Sequence, residues 1–176
     1  MSEIVETEVL IIGCGIAGGV AALELADAGI PVTVVTRSQE PSESNTYYAQ
    51  GGIIYRGEGD SPALLAKDVL RAGAGHSNPR AVTILAKEGP PLVRQTLIER
   101  VGVRFDRNVD GELSLALEGG HSVARIVHAA DATGKAIEVA LLQALRTHKN
   151  VTLLAGHTAI DLLTPSHHAL DRLAVY

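Results

Sequence analysis

The 176-residue chain has no tryptophan, one phenylalanine, one methionine and one cysteine, and only 3% of it is aromatic. Its core therefore has to be built from Leu, Val, Ile and Ala, for which a hydrophobic content of 46% is ample at about one domain's length. The lone cysteine, Cys14, excludes an internal disulfide and suits a reducing cytoplasm. Basic runs are missing and the net charge is -5, which argues against nucleic acid or an anionic membrane as partner. Apolar runs such as Val9-Leu10-Ile11-Ile12 are too short to span a bilayer, and the acidic start Ser2-Glu3-Ile4-Val5-Glu6 is not a signal-peptide n-region. The histidines lack HExxH or His-x-His spacing, so no metal site is expected. G-x-S-x-G and a Cys–His pairing are missing too, which leaves a hydrolase unsupported.

Glycine, by contrast, is plentiful, and its placement carries chemistry. Val9-Leu10-Ile11-Ile12 runs straight into Gly13-Cys14-Gly15-Ile16-Ala17-Gly18, and Ala-rich, helix-favouring sequence follows. The order is strand, tight turn, helix, with a strand expected over 8–12, a helix over 16–27 and a second strand over 32–35. In such a G-x-G-x-x-G turn the first Gly permits the sharp bend. The second lets a pyrophosphate approach the backbone, and the third lets helix and strand pack closely. The helix N-terminus adds free N–H groups and a positive dipole end. The thiol of Cys14 is expected to point away, leaving its backbone to do the binding. The acid expected about 20 residues on, for the ribose hydroxyls, is replaced by Thr36-Arg37. An Arg there is compatible with the 2′-phosphate of NADP or with the adenosine end of FAD.

Further along, Thr46-Tyr47-Tyr48-Ala49-Gln50-Gly51-Gly52 reads either as a packing loop or as a second backbone cradle for a flat ring. Ser61-Pro62 and Asn78-Pro79 are helix starts, an N-cap followed by Pro at the first helical position. The second of these helices is expected to reach Lys87, break at Gly89-Pro90-Pro91 and resume to Arg100. Short strands are expected over 103–106, 151–154 and 159–163 and from Asp171 on, and a turn at 108–111. Thr133 is expected to cap an amphipathic helix carrying Ile137, Leu141, Leu142 and Leu145.

Four blocks then stand in order: Gly13-Cys14-Gly15-Ile16-Ala17-Gly18, Tyr48-Ala49-Gln50-Gly51-Gly52, Glu118-Gly119-Gly120-His121-Ser122 and His128-Ala129-Ala130-Asp131-Ala132-Thr133-Gly134. Together they resemble the flavoprotein family of succinate dehydrogenase, fumarate reductase and L-aspartate oxidase, and the oxidase branch above the others. The resemblance implies a Rossmann-like α/β FAD-binding domain with a central parallel sheet and flanking helices. Residues 1–176 would be an N-terminal part that lacks the capping and C-terminal domains. It implies FAD contacts from Gly13, Cys14, Gly15, Ile16, Ala17 and Gly18 at the pyrophosphate, and from Arg37 at the adenosine side. Asn45, Thr46, Tyr47, Tyr48, Ala49, Gln50, Gly51 and Gly52 would run along the flavin, and the Thr158 and Ala159 backbone would touch the adenine side. Asn45 stands where covalently flavinylated relatives have His, which implies non-covalent FAD.

Glu118 replaces the apolar residue that succinate and fumarate enzymes carry before Gly-Gly. It would hold a substrate ammonium, with His121 beside it and the catalytic Arg in a later part of the family's chain. The implied reaction is oxidation of L-aspartate to iminosuccinate with oxygen or fumarate as acceptor, and the product would go to quinolinate synthase for NAD biosynthesis. A fumarate-reductase-type flavoprotein, an NADP enzyme and a non-catalytic dinucleotide-binding fragment are the other readings.

Overall fold

In a computed structural model, residues 4–164 are described. Strand β1 (Val9–Ile12), helix α1 (Ile16–Asp27) and strand β2 (Val32–Val35) form at the expected positions. Strand β6 (Val151–Leu154) joins β2 in parallel, so the sheet runs β1-β2-β6, with Val9 opposite Val32 and Val32 opposite Val151. Helix α5 (Thr133–Thr147) packs beside α1. One core fills the space between, made of Ala22, Leu23, Val32, Val34, Leu141, Leu142 and Leu145. Gly29, in the left-handed region at φ 86°, ends α1 as its composition suggests.

The second half is antiparallel. Strands β3 (Ile53–Ile54), β4 (Leu115–Ala116) and β5 (Ile126–Val127) form a sheet in the order β3-β5-β4. Helices α3 (Pro62–Ala72) and α4 (Pro79–Leu92) pack on each other. Ser61 and Asn78 cap them as expected, accepting from Leu64 N–H and from Arg80 and Ala81 N–H. Val93, Leu97, Val103, Phe105, Val127 and Ile137 make a second core. Helix α5 serves both cores, with Ile137 in one and Leu141 in the other.

Four expectations are corrected. The Gly89-Pro90-Pro91 stretch does not break the helix: α4 runs through it and passes into π-helical turns over Val93–Arg100. The two prolines remove donors, and the wider i→i+5 ladder, ending in the Val101 N–H to Thr96 carbonyl bond, carries the chain on. Residues 103–106 form no strand, Arg107 alone bridging to Leu113 across the 108–111 turn. Thr133 is the first helical residue and not the cap, which is Ala132; its hydroxyl accepts instead from the Ala129 N–H. Residues 159–163 are exposed and form no strand, and the strand expected from Asp171 lies outside the described residues.

Candidate functional site

The β1–α1 turn forms one wall of a cleft of about 490 Å³. Gly13, at φ 99°, makes the bend, and a Cβ on Gly18 would strike the Gly13 carbonyl, so helix and strand approach only because residue 18 is glycine. The N-cap residue of α1 is Gly15, which has no side chain to cap the helix. The Ile16 N–H goes to the Thr46 hydroxyl at 3.0 Å, while the backbone at Gly15, Ala17 and Gly18 borders the cleft. The opposite wall is a single turn of helix, α2 (Asn45–Tyr48), which was not apparent from composition; Ser44 caps it by accepting from the Tyr47 N–H. Thr36 and the exposed Arg37 close the end above β2. Thus Gly13, Cys14, Gly15, Ile16, Ala17, Gly18, Arg37, Asn45, Thr46 and Tyr48 share one hollow. A wall without a Cβ at Gly15, a helix N-terminus where Thr46 engages only the Ile16 N–H, and a cation at the lip are a donor set that fits a dinucleotide pyrophosphate.

Cys14 is turned away as expected. Its thiol is buried and donates to the Pro41 carbonyl at 3.0 Å, and burial pushes its pKa up, so it is not an activated nucleophile. Tyr47 lies edge-on to Tyr48 with the Lys135 ammonium over its ring, and the Tyr48 hydroxyl donates to Glu43. Ala49, Gln50 and Gly51 are exposed, and Gly51 has open space where a Cβ would stand. Gly52 has another reason: a Cβ there would collide with Ile126, so β5 demands it. Gly134 belongs to the same class, since a Cβ would strike the carbonyl oxygen of Thr46, and its N–H donates to the Ala49 carbonyl. The last block thereby locks α5 under α2. Thr158 and Ala159 are exposed and do not line the cleft; the neighbouring His157 N–H bonds the Thr36 carbonyl beside it.

Glu118 and His121 lie together on a second loop, joined by a turn in which the His121 N–H meets the Glu118 carbonyl. Glu118 is exposed, and His121 borders a smaller hollow with Asp68, Ala72 and Ser77 instead of the dinucleotide cleft. A group that composition did not single out anchors this loop. Arg125 is fully buried and donates to Asp60 at 2.9 Å, to Asp68 at 2.8 Å and to His121 Nδ1 at 3.0 Å. Asp68 also accepts from the N–H and hydroxyl of Ser122, whose hydroxyl does most to hold the carboxyl down to about 2. The visible signal was only two acids eight positions apart, with Ser122 and Arg125 more than fifty residues further on, a pattern too common in sequences to be read. A larger concavity, of about 1100 Å³, lies elsewhere, between α5 and the residues around Arg100 and Arg104. Its walls include the α5 residues Ala136, Ala140 and Ala144 but none of the 13–18 turn.

Residues 8–171 match the family described as FAD binding domain. The chain is 46% identical over 172 residues to the chloroplastic L-aspartate oxidase of Arabidopsis thaliana, covering 94% of this chain and 26% of that protein. It is 40% identical over 166 residues to the L-aspartate oxidase of Halobacterium salinarum, covering 93% and 31%. The chain therefore spans about a quarter to a third of the length of these curated relatives. Among solved structures, the Mycobacterium smegmatis Sdh1 complex is similar with a TM-score of 0.75 and 30% identity, over 84% of this chain and 27% of that one. A quinol–fumarate reductase shares the fold with a TM-score of 0.81 over 91% of this chain and 28% of its own.

Proposed function

The chain belongs to the FAD-binding-domain family, and from that premise we propose that it is the cofactor-binding portion of an L-aspartate oxidase. The family favours FAD over NADP as the ligand of the cleft. The observation that carries the reading is the convergence of the 13–18 turn with Arg37, Asn45 and Thr46 on one hollow, together with Glu118 before a Gly-Gly pair on the loop held by Arg125. Bound FAD supplies hydride acceptance from a substrate Cα. The chain's own part is to hold the pyrophosphate on backbone amides, to take the adenosine side against Arg37 and Thr36, and to line the flavin with Asn45, Thr46 and the residues that follow. Thr158 and Ala159 would meet the adenine from beyond β6.

Glu118 is the group we assign to the α-ammonium of L-aspartate, with His121 oriented beside it. A carboxylate facing an amine favours an amino acid over a bare dicarboxylate, through a charge-assisted hydrogen bond. The product is iminosuccinate, the electrons go to oxygen or fumarate, and quinolinate synthase is the consumer in NAD biosynthesis. The flavin is non-covalent, because Asn45 offers no linkage. No helix among the described residues is long and apolar enough to cross a membrane, and the cytoplasm suits the one unpaired thiol. The test is the complete protein with Glu118→Gln. It should lose roughly ten- to a hundredfold in kcat/KM for aspartate, the worth of one charge-assisted bond of about 1.5–3 kcal/mol, while fumarate reduction changes little. Equal loss on both would make Glu118 a loop residue, and yellow colour that stays with acid-precipitated protein would refute a dissociable flavin.

A further inference from the structure

Helix α5 carries a buried acid, Glu138, which no part of the proposed reaction uses. It is 0% exposed, and neither carboxyl oxygen has a hydrogen-bond partner among the described residues. Its position follows from helical spacing. Gly134, one turn before it, lies against the carbonyls of Thr46 and Ala49, and Leu141, three residues after it, lies against Gly19 of α1. Glu138 is thus set between the two walls of the dinucleotide cleft, one layer beneath the 13–18 turn. Two cleft-lining residues feel it: its charge raises the pKa of the Cys14 thiol, and the Ser44 hydroxyl is the polar group near enough to favour its ionised form.

Among the described residues no cation pairs with it. From the β1–α1 turn it faces Cys14, and from the start of α2 it faces Ser44, while the Glu43 carboxylate is taken by the Tyr48 hydroxyl. The buried face of α1 is Gly19, Ala22, Leu23 and Ala26, and β6 is Val, Thr and Leu, without a titratable side chain. On α5 itself Lys135 stands over Tyr47, and Arg146 acts on Cys14. Burial accordingly pushes the Glu138 carboxyl up to about 7, against the pull of Ser44.

We propose that Glu138 is a proton-linked positioning residue of the dinucleotide site, neutral when FAD is bound, so that FAD binding and ionisation of Glu138 oppose each other. This rests on the reading of the cleft as the FAD site. A pyrophosphate held on the backbone of the 13–18 turn would bring two negative charges to the cleft side of that turn. A carboxylate left ionised and unpaired below that turn repels them, whereas a neutral carboxyl does not. By linkage, FAD binding above neutral pH takes up a proton at Glu138, and FAD affinity falls as pH rises through the range where the apoprotein loses that proton.

The experiment is FAD titration of the complete apoprotein by flavin fluorescence between pH 6 and pH 9, with calorimetry in buffers of different ionisation enthalpy at pH 7.5 to count protons. The expected result is a Kd weakened about tenfold over the range, the effect of one charge–charge term of about 1.4 kcal/mol, with proton uptake at pH 7.5. Glu138→Gln should bind with a flat pH profile and no proton uptake. A flat wild-type profile without proton uptake overturns the proposal, as does a Glu138→Gln protein that keeps the slope. If that variant does not fold, wild-type proton uptake alone decides, because its absence at pH 7.5 is incompatible with the linkage. Absence of FAD binding at every pH would instead overturn the FAD reading of the cleft, and with it the proposal.

Discussion

Asp68 and Glu138 are buried to nearly the same degree, at 1% and 0% exposure, in the two halves of the molecule. They are driven in opposite directions, to about 2 for Asp68 and about 7 for Glu138. Burial favours the neutral acid in both places, and the partners decide whether it prevails. Asp68 accepts two bonds from Ser122 and one from Arg125, which also pairs with Asp60. Glu138 has only a poorly placed Ser44 hydroxyl. The antiparallel half thus holds a charged cluster that fixes a loop, while the parallel half holds an uncompensated carboxyl near the cleft of the 13–18 turn.

Removing the cation is the harshest way to break that contrast. Arg125→Ala leaves Asp60 buried without its charge partner and Asp68 with only the exposed Arg71, and should cost about 3–5 kcal/mol in urea unfolding. The 117–122 loop should then become the first protease-sensitive segment. A loss below about 1 kcal/mol would mean that the cluster is far more hydrated than its burial implies.

Removing the orphan acid should act with the opposite sign. The folded protein keeps the Glu138 proton up to about pH 7, whereas the unfolded chain releases it from about 4.5. Stability therefore falls as pH rises through that window and is lowest above it. The full linkage would be about 3 kcal/mol; a carboxyl one layer below an open cleft is partly screened, and about 2 kcal/mol remains. Glu138→Gln should recover that amount at pH 8 and little at pH 4.5, measured as a pH series of unfolding midpoints. Equal effects at both pH values would assign the change to packing.

The gentlest test sharpens the Asp68 side. Because its pKa is lowered, its contribution is complete above the unfolded value of 3.8 and is lost as pH falls towards about 2. The size should be about 2 kcal/mol, since Asp68 is buried and the Ser122 and Arg125 bonds that lower its pKa are shielded from solvent. Asp68→Asn should flatten the acid limb of the stability curve between pH 4 and pH 2. An unchanged limb would show that other carboxylates govern acid unfolding.

Much of this protein was determined by local sequence. Apolar residues running into Gly13-Cys14-Gly15-Ile16-Ala17-Gly18 specify strand, turn and helix through backbone freedom and periodicity alone, and Ser61-Pro62 and Asn78-Pro79 specify helix starts through capping. Those are short-range effects, so 16–27 and 32–35 were legible to the residue. The strands of the antiparallel sheet were not, since each is two residues long and exists only because Ile53 and Leu115 both find Val127. Nor were the reasons for Gly52 and Gly134, which are set by the neighbours a Cβ would meet. The passage of α4 through its proline pair depended on packing that makes a widened ladder tolerable. Above all, the opposite fates of Asp68 and Glu138 were beyond the sequence, because a pKa depends on which charges and dipoles stand within a few ångströms, and only the folded chain brings Ser122 and Arg125 to one acid and nothing comparable to the other.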